Sequence, residues 1–514
     1  MSEKERRNCS SRTKNSIINL SFSLAGQFLN LLSKFLLRTV FVATLGKEYL
    51  GLSGLFTNIL SLLSLAELGV GTAITFSLYK PIAQQNENQL IALMRVYKKA
   101  YICIGLFVLF AGALLTPFLS YFIKDMPDIP YIRMIYLLYV GNSGISYFYS
   151  YKASFIAANQ KNYIVTNNQY LMNMLCALAQ ACALAFLHNY LIFLGMQVIF
   201  TVASNIRISK IADREYPILT RRTKIALDFN TKRMILSNIG AMVFHKIGAI
   251  VVFSTDNILL SKMFGLSIVG VYSNYCLIFN GIESILNQFF QSITASIGNL
   301  KADAEKGKQK KIFYIIFFIN YWLYSFCAIA LGILLQDIMK IWLGEEYLMT
   351  NFCVIFLVIN FLLKGMRQTV MTFDTAYGLM RFYKIMPIPE CLLNLSASIL
   401  LAYIFGPAGV FIGTTVSTLF TCFWMEPRAL FRYGLDADLR EYFIRYGRYI
   451  VVTLGIYGML YFLVAWAVVD KGILGFFVKI LLVIVVPNLS IIIIFRKTDE
   501  FQYIVNIGKR FFKK

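Results

Sequence analysis

Apolar residues recur along the chain in runs long enough to cross a lipid bilayer, and short polar segments separate these runs. A membrane helix needs about 20 consecutive, mainly apolar residues. The pattern therefore predicts about fourteen membrane helices. Their expected limits are 16–43, 50–79, 98–123, 130–158, 162–187, 190–213, 233–261, 267–299, 311–336, 349–379, 384–405, 408–431, 443–468 and 472–495. The expected fold is an all-α polytopic membrane protein.

A polar stripe runs along the first predicted helix. Ser23, Gln27, Asn30, Lys34 and Arg38 recur at spacings of four, three, four and four residues, which places them on one face of an α-helix. A Lys or Arg at the bilayer centre costs about 2.5–3.5 kcal/mol on insertion scales. Such residues are tolerated where they face a water-filled cavity or a partner. The stripe therefore predicts a polar cavity that suits an anion.

The tenth predicted helix partly repeats this design. Asn360, Lys364 and Arg367 follow at spacings of four and three, and Asp374 lies two turns further on as an internal counter-ion. Other predicted helices carry further intramembrane polar residues. The expected anion-binding residues are Lys34, Arg38, Lys152, Lys246, Lys364 and Arg367, with Gln27, Asn30, Asn280 and Asn360 as uncharged cavity residues. The expected sites of proton or Na⁺ coupling are Glu67, Asp256, Glu283 and Asp374.

A structural role is the alternative for each of these residues. Lys34 and Arg38 could pair with Glu67 or Glu283 instead of a substrate, because buried charges in membranes usually find a partner. Lys152 lies near the end of its predicted helix, where a long side chain can reach the interface.

The charge distribution predicts the orientation in the membrane. The chain has 49 Lys and Arg against 26 Asp and Glu, a net charge of +23. Most of the basic residues fall in every second loop and at both termini, and the positive-inside rule places these segments in the cytoplasm. Anionic lipid headgroups are the expected partners of this charge. Nucleic acid is not expected, because the pattern leaves no basic soluble domain to bind it.

The chain also contains an internal repeat. Residues 40–58 resemble residues 259–277, and a shift of 219 places Gly46 on Gly265 and Gly51 on Gly270. This indicates two parallel six-helix repeats around a central cationic cavity, with two extra C-terminal helices. The expected divisions are an N-terminal lobe 1–213, a cytoplasmic linker 214–232, a C-terminal lobe 233–432, and two further helices with a basic tail at 433–514.

Two segments resemble a known family. They are LGKEYLGL at 45–52 and SLAELGVGTA at 64–73. Both are similar to the Wzx-type polysaccharide-unit flippases of the multidrug/oligosaccharidyl-lipid/polysaccharide (MOP) exporter superfamily, most clearly in the N-terminal part of the chain. The resemblance implies two bundles of six helices around a central cavity. It also implies alternating access for an undecaprenyl-pyrophosphate-linked oligosaccharide.

The expected function is therefore a flippase for such a repeat unit of O-antigen, capsule or exopolysaccharide. It would act in the bacterial cytoplasmic membrane, with both termini in the cytoplasm. Expected partners are the lipid-linked glycan, membrane lipid, H⁺ or Na⁺, and a polysaccharide polymerase with its chain-length regulator. A lipid-linked peptidoglycan precursor flippase is the main alternative. A multidrug extruder is less favoured, because its cationic substrates would need acidic residues where Lys34 and Arg38 stand.

A membrane enzyme, a polysaccharide polymerase, is the alternative from another class. Such an enzyme would need a large outer loop, and the longest expected outer connection is only about residues 336–348. The sequence has no nucleotide-binding P-loop motif, and its nine Cys and two His show no metal-ligand spacing. No enzymatic activity, cofactor or metal is expected.

Overall fold

The structure, a computed structural model, is helical throughout most of the residues that it describes. These residues are 3–67, 77–79, 81–82, 84–124, 127–159, 161–221, 255–303, 305–383, 385–467 and 472–512. No β-strand occurs within these ranges, and the all-α prediction is confirmed. The predicted cation Lys246 and its neighbour His245 lie outside the described residues.

The contacts between residues divide the chain into two compact units. They are Met1–Asn274, called unit 1 here, and Tyr275–Lys514, called unit 2. The divisions expected at 213 and 233 stay predictions, because residues 222–254 lie outside the described part of the chain.

Unit 1 contains the long helices of the N-terminal half. They are α1 (Glu3–Leu63), α2 (Glu87–Leu115), α3 (Ile132–Tyr147), α4 (Ser150–Ala158), α5 (Asn162–Leu187), α6 (Tyr190–Glu215), α7 (described over 255–264) and the start of α8 (Leu266–Asp303). Side-chain caps fix two of these starts. Asn86 Oδ1 accepts a hydrogen bond from the backbone N–H of Gln89 at 3.1 Å, and Asn189 Oδ1 does the same for Leu191 at 2.9 Å.

A glycine breaks α1 into two helices. Gly46 has φ 78°, in the left-handed region that glycine adopts without the steric cost of a Cβ. The break falls between the predicted helices 16–43 and 50–79. Gly265, the counterpart of Gly46 in the repeat, has φ 91° and separates α7 from α8 in the same way.

Unit 2 contains the remaining helices. They are α9 (Lys306–Leu343), α10 (Asn351–Met366), α11 (Gln368–Tyr377), α12 (Pro387–Phe405), α13 (Pro407–Phe420), α14 (Cys422–Ala429), α15 (Leu439–Ala467), α16 (Ile473–Phe495) and α17 (Asp499–Phe512). α9 is the core helix. Its Tyr321 stacks on Tyr449 of α15 with ring centroids 4.1 Å apart, and Phe318 packs on Phe495 of α16. The helices predicted beyond the repeat therefore pack on the core of unit 2.

Ten helices of the described chain are long and apolar enough to cross a membrane. This makes the chain a multi-pass membrane protein. The single stretch Gly26–Leu63, which is broken at Gly46, covers residues 26–43 of the predicted span 16–43 and residues 50–63 of the predicted span 50–79. The predicted span 130–158 is split between α3 and α4, and 267–299 lies in α8 outside the ten. The total of about fourteen spans stays a prediction.

Candidate functional site

Unit 1 contains a cavity of about 840 Å³. Its walls come from both halves of α1 and from α3, α4, α5 and α6. This volume lies in the range of about 300–1,000 Å³ that is typical of ligand sites. Most of the lining side chains are Ser, Thr, Asn, Gln or aromatic residues. Polar walls of this kind, within helices that cross a membrane, are stable only against water or a polar ligand.

The polar stripe of α1 contributes one wall of the cavity. Asn30 and Lys34 of the stripe line it, and so does Ser33, which is not part of the predicted stripe. Gln27 instead accepts a hydrogen bond from the Tyr170 hydroxyl at 2.7 Å. Arg38 is not part of the lining and donates from Nη1 to Ser273 Oγ at 3.2 Å. The stripe therefore divides into a cavity-facing part and a part that contacts neighbouring helices.

Among the lining residues that the structure describes, two carry a charge, Lys34 and Glu67. The Lys34 side chain is exposed, and it forms no ion pair with the residues that the structure describes. Glu67 lies in the 3₁₀ turn that follows α1 and has interactions of its own. The alternative of a Lys34–Glu67 pair is therefore not seen. A Lys without an internal carboxylate is available to an anion that enters the cavity.

Lys152, another predicted cation, is held by protein groups. Its Nζ lies 2.7 Å from Asp213 Oδ2 and donates to Ser209 Oγ at 2.7 Å. The lysine is 8% exposed. Removing one member of a buried pair costs more than the pair itself contributes, since it leaves an uncompensated charge.

The predicted cations of unit 2 also have carboxylate partners. Lys364 Nζ lies 2.7 Å from Glu283 Oε2, and Arg367 binds both oxygens of Glu426 at 2.9 and 2.6 Å. Asp374 is fully buried and accepts a hydrogen bond from the Tyr383 hydroxyl at 2.8 Å. The expectation that Asp374 neutralises Lys364 and Arg367 is thus wrong, because carboxylates on α8 and α14 are the partners.

The remaining described residues of the prediction are not among those that line the cavity of unit 1. Asn360 donates to the Phe411 carbonyl at 2.9 Å and accepts from the Thr415 hydroxyl at 2.6 Å, joining α10 to α13. Asn280 is exposed on α8. Asp256 is buried in α7.

The sequence pattern did not single out the amides that α5 and α6 contribute to the cavity wall. α5 contributes the amides Asn168, Gln169, Asn173 and Gln180, and α6 contributes Gln197. A signal was available in the sequence, since these amides recur within one predicted span at spacings of one, four and seven residues.

No protein-family model matches the sequence, and no curated protein sequence is detectably similar to it. Solved structures with a similar fold do exist. The lipid II flippase MurJ, in an inward closed conformation, matches with a TM-score of 0.67 and 13% sequence identity, over 93% of this chain and 99% of that one. The MATE transporter VcmN of Vibrio cholerae matches with a TM-score of 0.59 and 14% identity, over 84% and 99%. A MOP superfamily transporter from Pyrococcus furiosus matches with a TM-score of 0.53 and 14% identity, over 83% and 97%.

These similarities establish the fold. Both the lipid II flippase and the MATE transporters share the helical architecture of this chain along almost their whole length. The two-lobe repeat fold predicted from the sequence is therefore confirmed.

Proposed function

We propose that this protein is a flippase that moves an undecaprenyl-pyrophosphate-linked oligosaccharide across the bacterial cytoplasmic membrane by alternating access. The observation that carries the proposal is the cavity of unit 1, with its many hydrogen-bonding side chains and the unpaired Lys34. Its placement on a fold shared with a lipid II flippase adds support.

The chemistry of such a substrate fits the cavity in two respects. A glycan must keep its hydroxyl groups hydrogen-bonded while it crosses the membrane, because each unpaired polar group costs several kcal/mol in hydrocarbon. The Ser, Thr, Asn and Gln side chains of the cavity can supply those bonds. The pyrophosphate needs a cation, and Lys34 is the one lysine in the described lining. The polyprenyl chain would remain in the bilayer.

A lipid-linked peptidoglycan precursor is the second candidate substrate. The solved lipid II flippase supports it, since its TM-score of 0.67 exceeds the 0.59 of the MATE transporter VcmN. Both candidates share a polyprenyl pyrophosphate and differ in the attached group.

The other assignments follow from this proposal. Lys34, Asn30 and Glu67 are the proposed cavity residues of unit 1. For Arg38, Lys152, Lys364 and Arg367, which the sequence pattern predicts to bind the anion, we propose a supporting role instead. Both termini would lie in the cytoplasm, and a polysaccharide polymerase with a chain-length regulator would accept the product.

A flipping assay with purified protein tests the proposal. Proteoliposomes would contain either a fluorescent undecaprenyl-pyrophosphate-linked oligosaccharide or fluorescent lipid II, and a membrane-impermeant quencher would report transfer between leaflets. Flipping of the oligosaccharide lipid at a higher rate than lipid II is expected. Faster flipping of lipid II would favour the second candidate. Absence of flipping for both lipids, by protein that remains monodisperse, would overturn the proposal.

A further inference from the structure

Three of the amide side chains that α5 and α6 contribute to the cavity of unit 1 have no partner within the described protein. Gln169 and Asn173 lie one turn apart on α5, and Gln197 lies on α6. All three line the cavity, the first two are exposed and Gln197 is half-buried. None of them makes a hydrogen bond or an ion pair with the residues that the structure describes. Their donors and acceptors are available to a molecule in the cavity.

Neighbouring amides of the same two helices are used differently. Asn168 donates to Ser204 Oγ at 3.0 Å, and Gln180 donates to the Phe193 carbonyl at 3.1 Å. Asn205 donates to the Ile145 carbonyl at 3.2 Å. These bonds tie α3, α5 and α6 together. The lining amides of α5 and α6 therefore fall into a structural set of three that is paired and a set of three that is not.

The chemistry of the unpaired set indicates what it binds. A Gln or Asn amide offers two donors and one acceptor carbonyl and carries no charge. Sugar hydroxyl and N-acetyl groups are likewise both donors and acceptors without charge. Phe200 lines the cavity one turn beyond Gln197, and an aromatic ring there can cover the apolar face of a sugar ring.

The charges of the lining add a restriction. Lys34 and Glu67 carry opposite charges and leave the described lining without a net charge. The described lining therefore offers one cation, Lys34, to one anionic group such as a phosphate. It contains no cluster of cations that could bind a glycan in which many sugars are acidic.

We propose that Gln169, Asn173 and Gln197 form a subsite that binds uncharged hexose or N-acetylhexosamine units. This inference rests on the proposed function, and it names the part of the lipid-linked glycan that occupies the cavity of unit 1. The amides of the subsite bind hydroxyl and N-acetyl groups of the sugars. Lys34, outside the subsite, binds a phosphate. Glycans rich in uronic acids bind less well.

Cys176 provides a reporter inside the same cavity. It lies on α5 three residues after Asn173, lines the cavity and is half-buried. A protein that keeps Cys176 as its single cysteine would be placed in nanodiscs. The rate of its alkylation by a small maleimide would be measured with three probes at equal concentration. The probes are undecaprenyl pyrophosphate bearing an N-acetylhexosamine trisaccharide, the same lipid bearing a uronic-acid trisaccharide, and undecaprenyl pyrophosphate without sugar.

The neutral trisaccharide lipid should slow alkylation by at least about fivefold, and the sugarless lipid by less than about twofold, because the hydrogen bonds of the subsite are made to the glycan. The triple variant Gln169→Ala, Asn173→Ala and Gln197→Ala should lose this protection. Asn167→Ala, an exposed amide on α5 outside the lining, is the matched control and should keep it. Equal protection by the sugarless lipid, or full protection of the triple variant, would overturn the inference.

A single conservative variant keeps the inference testable if the triple variant does not fold. Gln197→Glu keeps the size of the side chain and adds a negative charge. Its protection by the uronic-acid lipid should fall further than its protection by the neutral lipid, and equal effects on both would contradict the subsite.

The flipping assay distinguishes a failure of the proposed function from a failure of the sugar subsite. If wild-type protein flips no glycan lipid, the proposed function fails and the subsite with it. If it flips the lipid while Cys176 protection does not depend on sugar, only the subsite fails.

Discussion

Gly51 packs directly against the backbone of Leu266. A Cβ atom at Gly51 would overlap the Leu266 carbonyl oxygen, and a Cβ atom at Gly270 would overlap the carbonyl oxygen of Lys47. These two contacts are related by the repeat, since 47 + 219 = 266 and 51 + 219 = 270. The second half of α1 and the start of α8 thus cross at two equivalent contacts. In one, a glycine of α1 packs on the backbone of α8, and in the other, a glycine of α8 packs on the backbone of α1.

Alanine at either glycine should destabilise the protein. The obstacle is backbone, which cannot rotate away as a flexible side chain can, and overpacking of this kind costs about 1–3 kcal/mol or more. We expect Gly51→Ala and Gly270→Ala each to lower the Tm in detergent by several degrees. Gly455→Ala on α15 is the control, because nothing lies within 4 Å of its Cβ position. Alanine there should leave the Tm unchanged or raise it. Equal Tm values for all three variants would contradict the close crossing.

The Lys152–Asp213 pair should behave as a structural pair. Lys152→Met removes one charge and should destabilise the protein by about 1–3 kcal/mol, because Asp213, whose side chain is 32% exposed, would be left without its cation but partly solvated. The double variant Lys152→Met, Asp213→Leu should recover most of the lost Tm. It should also flip substrate at a rate near that of wild type. If the double variant regains the Tm but not the flipping, Lys152 acts on the substrate as the sequence pattern suggested.

The predicted topology can be tested by labelling at exposed positions. Lys308 and Arg221 belong to segments rich in basic residues, whereas Glu345 lies in a short turn after α9. Single cysteines at Lys308 and Arg221 should react with an impermeant maleimide only from the cytosolic side. A cysteine at Glu345 should react only from outside. Labelling of the Glu345 position from the cytosol would show that the orientation and the span count are wrong.

Flipping should depend on an ion gradient if the predicted coupling residues act. The candidates are Glu67, Asp256, Glu283 and Asp374, and the structure gives Glu283 a cationic partner in Lys364. The flipping rate in proteoliposomes should fall when the proton and Na⁺ gradients are both collapsed. An unchanged rate would show that flipping is not coupled to either ion.

The sequence predicts local features well because they depend on short spacings. The stripe through Asn30 and Lys34 requires only helical periodicity, and the break at Gly46 lies in a visible repeat. Ion-pair partners that are distant in the sequence cannot be predicted in this way. Lys152 and Asp213 are 61 residues apart, and no local pattern says which carboxylate faces a given lysine. The unpaired amides could not be identified from the sequence for a related reason. Periodicity alone does not distinguish Gln169, which has no hydrogen-bond partner within the described residues, from its neighbour Asn168, which has one.

Lys34 should be needed for flipping and not for stability. It has no internal ion pair in the described part of the chain, so its removal leaves no carboxylate uncompensated. A hydrogen bond to a charged group contributes about 1.5–3 kcal/mol, and Lys34→Ala should therefore slow flipping of the oligosaccharide lipid by about tenfold or more. Its Tm should stay within a degree or two of wild type.

Lys34→Arg should keep part of the activity, because the positive charge is retained while the geometry of the donor changes. Lys34→Gln, of similar length but neutral, should resemble Lys34→Ala. Lys98→Ala is the matched control, since Lys98 is an exposed lysine on α2 outside the cavity. The contrast between Lys34→Arg and Lys34→Gln measures the charge itself. If both flip the lipid at the wild-type rate, the cavity does not bind the pyrophosphate through Lys34.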